Sequence, residues 1–288
     1  MTVRQALIYA REKLEAAQQH GLHPDLTPAL DAAVLLAFHL GVSRSYLAAH
    51  DDLECDGVLD SFYKSVSKRS MGYPVAYLTG VKEFWGRPFS VSPATLIPKP
   101  DTETLIERAL HIIPDTPPFC VLDVCTGSGC IAITLKAEKQ HIQCVATDIS
   151  NPALDIARTN AQTLLQSPNA IRFIQGDLRQ GLPKNEGTFD LVVSNPPYVP
   201  SLIAKHLLND GRSEPLLALD GGSDGLDLVR SLIDHLPQVV KQGGKVLIET
   251  GEYNAQQASE YLNLKGFTDI VIHADLSGQE RVVEGSWK

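Results

Sequence analysis

The chain has 288 residues, and its 25 Lys and Arg against 34 Asp and Glu give a formal net charge of −9. General affinity for a polyphosphate is therefore opposed by long-range repulsion, which argues against a nonspecific nucleic-acid binder. The five cysteines are odd in number and lack CxxC spacing, and the nine histidines form no HxxxH or HExxH pair, so neither a disulfide framework nor a metal site is expected.

From Val3 to about Tyr73 no strand-like alternation occurs. Leu7, Ala10, Leu14 and Ala17 recur at helical spacing, and Thr27 to Leu40 reads as a second apolar helix closed by Gly41. Residues 1–73 are expected to form a small helical bundle. Within it, Lys64 to Arg69 holds three basic residues, ordinarily a solvated helix face and otherwise a contact for a partner's acidic face or RNA. Residues 74–100, with Gly80, Gly86, Pro88, Pro93, Pro98 and the aromatics Phe84, Trp85 and Phe89, read as a linker carrying a short hairpin. Residues 101–288 alternate strand and helix, which predicts a parallel sheet covered on both faces, an α/β Rossmann-like domain.

The first strand of that domain, Phe119 to Val124, runs into Cys125-Thr126-Gly127-Ser128-Gly129-Cys130 and then the apolar stretch Ile131 to Leu135. This is strand, glycine turn and helix, a geometry that lets backbone approach a ligand and points free N–H groups at it. Asp123 either faces the cationic end of that ligand or is a plain loop acid. A second strand, Ile142 to Thr147, ends in Asp148, placed to accept both hydroxyls of a ribose. The third, Ile171 to Ile174, ends in Gly176-Asp177, where a carboxylate can accept from an adenine amino group or serve as an ordinary loop acid.

The fourth strand, Phe189 to Ser194, delivers Asn195-Pro196-Pro197-Tyr198. An amide or exocyclic amino nitrogen has a delocalised lone pair and attacks a methyl group poorly. The Asn195 side-chain carbonyl can accept one of its N–H groups and the Pro196 backbone carbonyl the other, while Tyr198 lies flat against the planar group. Orientation of this kind is worth roughly 7–11 kcal/mol in favourable cases. Alternatively, Asn-Pro-Pro only stops a strand.

Farther on, Glu214-Pro215 comes after a turn-rich stretch. Later elements are a helix from Gly225 to Lys241, a strand from Lys245 to Glu249, a helix from Asn254 to Lys265 and closing strands near Ile270 and Val282. Cys120 and Cys144 read as small buried hydrophobes; Cys125 and Cys130 flank the glycine loop and are candidates for oxidation sensitivity. No apolar run nears the roughly 18 residues of a membrane span. The N-terminus, with Glu12 and Glu15, has no signal-peptide core, so a cytoplasmic location is expected.

Gly127-x-Gly129-x-x-Ala132 also satisfies a dinucleotide fingerprint. The order of parts (glycine loop, ribose acid, adenine acid, amino-group site) favours methyl transfer from S-adenosylmethionine (AdoMet) over a dinucleotide-dependent oxidoreductase or a nucleotide-sensing module. A DNA adenine methyltransferase is chemically close, but would want a basic channel and a base-flipping pocket.

The chain also resembles the HemK/PrmC-type release-factor glutamine methyltransferases. The resemblance begins at Asp31-Ala32-Ala33-Val34-Leu35-Leu36, strengthens through Pro74-Val75-Ala76-Tyr77-Leu78-Thr79-Gly80, Glu83-Phe84-Trp85 and the run Ser92 to Glu103, and takes in the glycine loop, Asn195 to Tyr198, Glu214-Pro215 with Ala218-Leu219, and Asp275 to Arg281. It implies a class I methyltransferase that moves a methyl group from AdoMet to the side-chain N5 of the glutamine in the GGQ motif of peptide-chain release factors, leaving S-adenosylhomocysteine.

On that resemblance Asp123, the loop Cys125, Thr126, Gly127, Ser128 and Gly129, then Asp148, Asp177, Leu178 and Asn195 contact AdoMet. Asn195, Pro196, Pro197 and Tyr198 form the glutamine site. Glu214, and more weakly Arg212, belong to a substrate-side loop, and residues 1–73 grip the release factor's body. The expected partner is a release factor, met as a monomer, with no membrane and no direct nucleic-acid contact. Lys99, Cys125 and Leu178 depart from the family's usual Arg, Gly and aromatic. Lys99 keeps the charge without the planar fork, position 125 is expected not to need positive φ, and Leu178 implies a weaker adenine stack.

Overall fold

The computed structural model describes residues 1–19, 26–167, 169–178, 188–208 and 213–288. The chain divides into two compact units: Met1–Val81 with the described residues of 206–213, and Lys82–Lys205 with Glu214–Lys288.

The first unit is helical: α1 Val3–Gln19, α2 Pro28–Leu40, α3 Arg44–Ala49, α4 Leu59–Ser70 and α5 Val75–Thr79. α1 buries Val3, Ala6, Ala10 and Leu14, a stripe at helical spacing rotated from the expected one, so that Leu7 and Ala17 pack at its margin. They meet Leu35 and Leu36 of α2 and Phe62 and Val66 of α4. Gly41 closes α2 in the left-handed conformation at φ 67, its N–H bonded to the carbonyls of Ala37 and Phe38. α5, absent from the linker expected over 74–100, starts after Pro74 and stops at Gly80, φ 74.

One basic residue of the Lys64 to Arg69 run departs from the solvated face expected of it. Lys64 and Lys68 are exposed, but Arg69 is buried, its Nε donating to Asp31 Oδ2 at 2.7 Å. Asp31 also accepts from the backbone N–H and the hydroxyl of Thr27, so this carboxylate ties the start of α2 to the end of α4. Removing one partner of such a pair leaves a desolvated charge. Asp31→Ala is therefore expected to cost about 3–5 kcal/mol, read as a lower denaturation midpoint. A loss under about 1 kcal/mol would show that the pair is not what holds these helices.

β1 Val81–Phe84 and β2 Arg87–Ser90, in the second unit from Lys82 on, form the expected hairpin. Trp85 and Gly86 turn it with positive φ at both positions, 52 and 69, the type I′ geometry that matches strand twist. Phe84 and Phe89 enter the core edge to face, 6.1 Å apart.

Beyond the hairpin come α6 Glu103–Ile112, β3 Cys120–Val124, α7 Cys130–Glu138, β4 Gln143–Asp148, α8 Asn151–Leu165, β5 Ile171–Gln175, β6 Phe189–Ser194, α9 Ser201–Leu208, α10 Asp227–His235, β7 Val240–Glu249, α11 Ala255–Leu264, β8 Phe267–Ala274 and β9 Glu280–Trp287. The sheet has seven strands in the order β5-β4-β3-β6-β7-β9-β8. Pairing is parallel from β5 to β7, but β9 runs antiparallel to both β7 and β8, so the sheet is mixed where a parallel one was expected.

Alternation along each strand splits the core. Val121, Leu191 and Val193 pack on one face with Leu105 and Ile106 of α6 and Ile133 of α7. Leu122, Val124 and Val192 pack on the other with Val229, Leu232 and Ile233 of α10 and Leu262 of α11. The helix expected over Gly225 to Lys241 is shorter: α10 ends at His235 and Leu236–Gln238 forms a 3-10 turn around Pro237, because proline removes the N–H that would extend the helix. β7 therefore starts at Val240 rather than Lys245. The chain order reverses at β3, between β4 and β6, and the crevice beyond the carboxyl ends of such strands is where α/β sheets take ligands.

Candidate active site

A cavity of about 510 Å³ opens at those strand ends, within the size range of small-ligand pockets. Of the residues singled out from the sequence, Cys125, Thr126, Gly127, Ser128, Asp148, Asp177, Leu178, Asn195 and Pro197 line it; Asp123, Gly129, Pro196, Tyr198 and Glu214 are not among its lining residues.

The glycine loop is held from below. Asp123 is fully buried; its Oδ2 accepts from the Thr126 hydroxyl at 2.6 Å and from the Ala132 N–H, in the first turn of α7, at 3.1 Å. The residue preceding α7 is Gly129 at φ 82, which has no side chain to cap with, so Asp123 supplies the cap from the neighbouring strand. Its Oδ1 has no partner among the described residues. Burial pushes this carboxyl up to about 7, against the pull of those two hydrogen bonds. Asp123 is thus a strand residue with one oxygen committed to the loop and the other free, rather than a plain loop acid.

Position 125 overturns an expectation. Cys125 has φ 62, in the left-handed region, where a Cβ costs roughly 1–2 kcal/mol. Two hydrogen bonds to β4 impose the turn: the Thr126 N–H reaches Thr147 O at 2.9 Å, and the Gly127 N–H reaches Asp148 Oδ2 at 2.8 Å. The glycine usual in the resembled family would make this turn without that strain. Cys125 and Cys130 both line the cavity. Burial raises both thiols, Cys130 to about 12, which keeps them protonated at neutral pH and opposes the oxidation-sensitive role considered for them.

Asp148 ends β4. Its Oδ1 accepts from the Ser150 N–H at 2.9 Å and its Oδ2 from the Gly127 N–H, with the Ile149 N–H also favouring the ionised form, and a carboxylate has roughly four acceptor sites in all. Burial raises its pKa, and the backbone N–H donors pull it down. Asp177 and Leu178 line the same cavity, and together with Asp148 and Asp123 they make a lining suited to a ligand carrying vicinal hydroxyls, a planar base and a cationic amine.

The Ser194 hydroxyl donates to Val124 O at 2.7 Å, fixing the start of the Asn195 segment against the start of the glycine loop. Asn195 Nδ2 donates to Thr102 Oγ1 at 3.2 Å, so its carbonyl oxygen is left for another donor. That amide orientation is set by the hydrogen-bond network. Thr102, buried before α6 and on the cavity wall, lies in the run Ser92 to Glu103 that carries the resemblance but is not singled out there as a site residue.

The Tyr198 hydroxyl donates to Glu249 Oε1 at 3.2 Å. Glu249 has no place among the residues singled out from the sequence, although it shows the signal that pointed to Asp148, an acid closing an apolar strand. Two glycines from a distant segment complete the arrangement. A Cβ at Gly225 would stand 2.3 Å from Tyr198 O and one at Gly221 2.7 Å from Pro197 O, so the backbone of the Asn195 segment is gripped where only glycine permits the approach.

Glu214 is buried. It accepts from Lys99 Nζ at 2.7 Å and from the Ile97 N–H at 3.3 Å. It thereby pins the next turn, whose Pro215, Leu217 and Ala218 line the cavity. Arg212 lies outside the described residues.

Comparison with known proteins agrees with this architecture. Structural likeness at low identity supports the fold: the catalytic domain of hMettl16, solved with the MAT2A 3'UTR hairpin 6, superposes with a TM-score of 0.59 at 18% identity over 77% of this chain and 81% of that one. A methyltransferase from Pyrococcus furiosus gives 0.52 at 18% identity over 71% and 91%. Residues 5–80 match the PrmC N-terminal domain and residues 106–209 the methyltransferase small domain. Release factor glutamine methyltransferases from Koribacter versatilis and Vibrio cholerae are each 38% identical, covering 99% and 100% of this chain and 98% of their own lengths. With likeness running through both units and the site between β3 and β6, the chain belongs to the release factor glutamine methyltransferase family.

Proposed function

We propose that this chain transfers the methyl group of AdoMet to the side-chain N5 of the glutamine in the GGQ motif of peptide-chain release factors. The observation that carries this reading is the Asn195 amide, held by Thr102 at the cavity wall through Nδ2, its carbonyl oxygen without a hydrogen-bond partner among the described residues, on the same cavity as Asp148. Asp148 suits the ribose hydroxyls, and the free oxygen of Asp123 suits the methionine ammonium. AdoMet supplies an electrophilic methyl carbon on a cationic sulfur.

The chain's own work is orientation. Asn195 Oδ1 and the Pro196 carbonyl each take one N–H of the carboxamide, so the nitrogen lone pair points one way, toward the donor. As the N–C bond forms and the C–S bond breaks, the nitrogen gains positive charge. Both acceptors stabilise that charge more than they stabilise the neutral amide, and the spare proton leaves to water. Residues 1–73 serve as the domain that recognises the release factor's body.

The Asp123 carboxyl, raised to about 7 by burial, gives this reading a pH signature. An ammonium beside it favours the ionised form, so binding below about pH 7 releases a proton. AdoMet affinity is expected to rise with pH up to about 7 and level off above it. Calorimetry in buffers of different ionisation enthalpy reads the released proton directly, and Asp123→Asn should remove it. Binding without proton release at pH 6 would take the ammonium away from Asp123.

The class of acceptor is tested by incubating the protein with methyl-labelled AdoMet and either an unmethylated release factor or double-stranded DNA. Label in the release factor alone is expected. Label in DNA alone would overturn the reading.

A further inference from the structure

Glu249 closes β7, fully buried. Its Oε1 accepts the Tyr198 hydroxyl at 3.2 Å, and its Oε2 has no hydrogen-bond partner among the described residues. A carboxylate held from water in this way is costly, and packing alone gives no reason for a charged group at the end of an apolar strand.

Its neighbours give one. The groups facing it are Thr102 and Asp101 just before α6, Tyr198 after β6, and Arg281 on β9, with Arg281 itself shared between Asp275 at 3.2 Å and Asp101 at 3.4 Å. Thr102 accepts from the Asn195 amide, so its single hydroxyl proton is free to point at the carboxylate, whose acidity it increases. The Tyr198 hydroxyl thus bonds Glu249 and the Thr102 hydroxyl is available to it, and these two side chains carry the aromatic ring and hold the amide assigned to the acceptor glutamine.

We propose that Glu249 is a positioning residue for methyl transfer: its ionised carboxylate draws the Tyr198 and Thr102 hydroxyls inward and so holds the Tyr198 ring and the Asn195 amide in the orientation the acceptor needs. It acts through these two residues and is not on the cavity lining. The inference rests on the proposed glutamine acceptor.

Burial brings the Glu249 carboxyl up to about 7, with the two hydroxyls and Arg281 pulling it down and Asp101 pushing it up. Orientation is therefore lost as pH falls through that value, when the protonated acid becomes a weak acceptor. At saturating AdoMet, the rate is expected to fall on the acid side with a midpoint near 7.

The test uses the full-length protein, wild type and Glu249→Gln, with Tyr198→Phe to assign the Tyr198 signal. In ring-labelled ¹³C-tyrosine NMR of the AdoMet-loaded protein, the wild-type Tyr198 resonance should shift with pH around 7 and become pH-independent in Glu249→Gln. In release-factor methylation, Glu249→Gln should lower kcat roughly 10- to 100-fold, leave KM for AdoMet within about twofold, and lose the acid limb; Glu249→Asp should keep that limb. A Tyr198 resonance flat in the wild type, or equally pH-dependent in Glu249→Gln, would overturn the proposal. So would an unchanged kcat, or equal losses of AdoMet affinity and rate. Absence of any wild-type transfer to release factor would instead strike the acceptor reading, and the NMR arm would still decide what Glu249 does to Tyr198.

Discussion

Asn195→Ala is expected to lower methyl transfer by about 10²–10³-fold or more while AdoMet affinity changes little. The magnitude is that of removing one preorganised hydrogen-bond partner of a developing charge, about 2.7–4 kcal/mol. The direction comes from the geometry. The Asn195 amide is committed to Thr102 through Nδ2, so its carbonyl is the group facing an acceptor, and alanine leaves one acceptor N–H unpinned. The glycine loop and Asp148 keep their own hydrogen bonds, so the donor's site survives. Single-turnover rates with calorimetry read the two effects separately. A loss of AdoMet affinity as large as the loss of rate would end the division of roles.

The opposite pattern is expected for Asp148→Ala. Two charge-assisted hydrogen bonds to ribose hydroxyls, each worth about 1.5–3 kcal/mol, would disappear. The Gly127 and Ser150 N–H groups would also lose their acceptor, loosening the loop that lines the cavity. AdoMet Kd should rise roughly 10²- to 10⁴-fold, with much of the rate recovered at saturating AdoMet because Asn195 is untouched. An unchanged Kd would remove Asp148 from the ribose.

Much of this site was legible because its signals are local. β6 spans Phe189–Ser194 as the sequence suggests, since an apolar run cut by Asn-Pro-Pro leaves little freedom at either end. Asp148 and Asp177 stand on the cavity wall for the same reason: strand, turn and acid are adjacent in the chain. What escaped was set by residues far apart. Arg69 is in a helical run of ordinary solvated character, and Asp31, from another helix, makes it part of a buried ion pair. The left-handed turn at Cys125 is demanded by Thr147 and Asp148 on the next strand, which a strand-by-strand reading does not connect to it. Gly221 and Gly225 read as loop punctuation until the backbone of Tyr198 is found against them. The one reversed strand, β9, has a local cause instead, the short turn between β8 and β9, since a few residues can join antiparallel neighbours but not parallel ones.

The most direct measurement is mass spectrometry of a purified, unmethylated release factor after incubation with this protein and AdoMet, beside the same factor with the GGQ glutamine changed to alanine. The account predicts a single methyl group, mapped to that glutamine, and none on the altered factor. Methyl addition at another residue, equal addition to both factors, or no addition by a protein that binds AdoMet would contradict it.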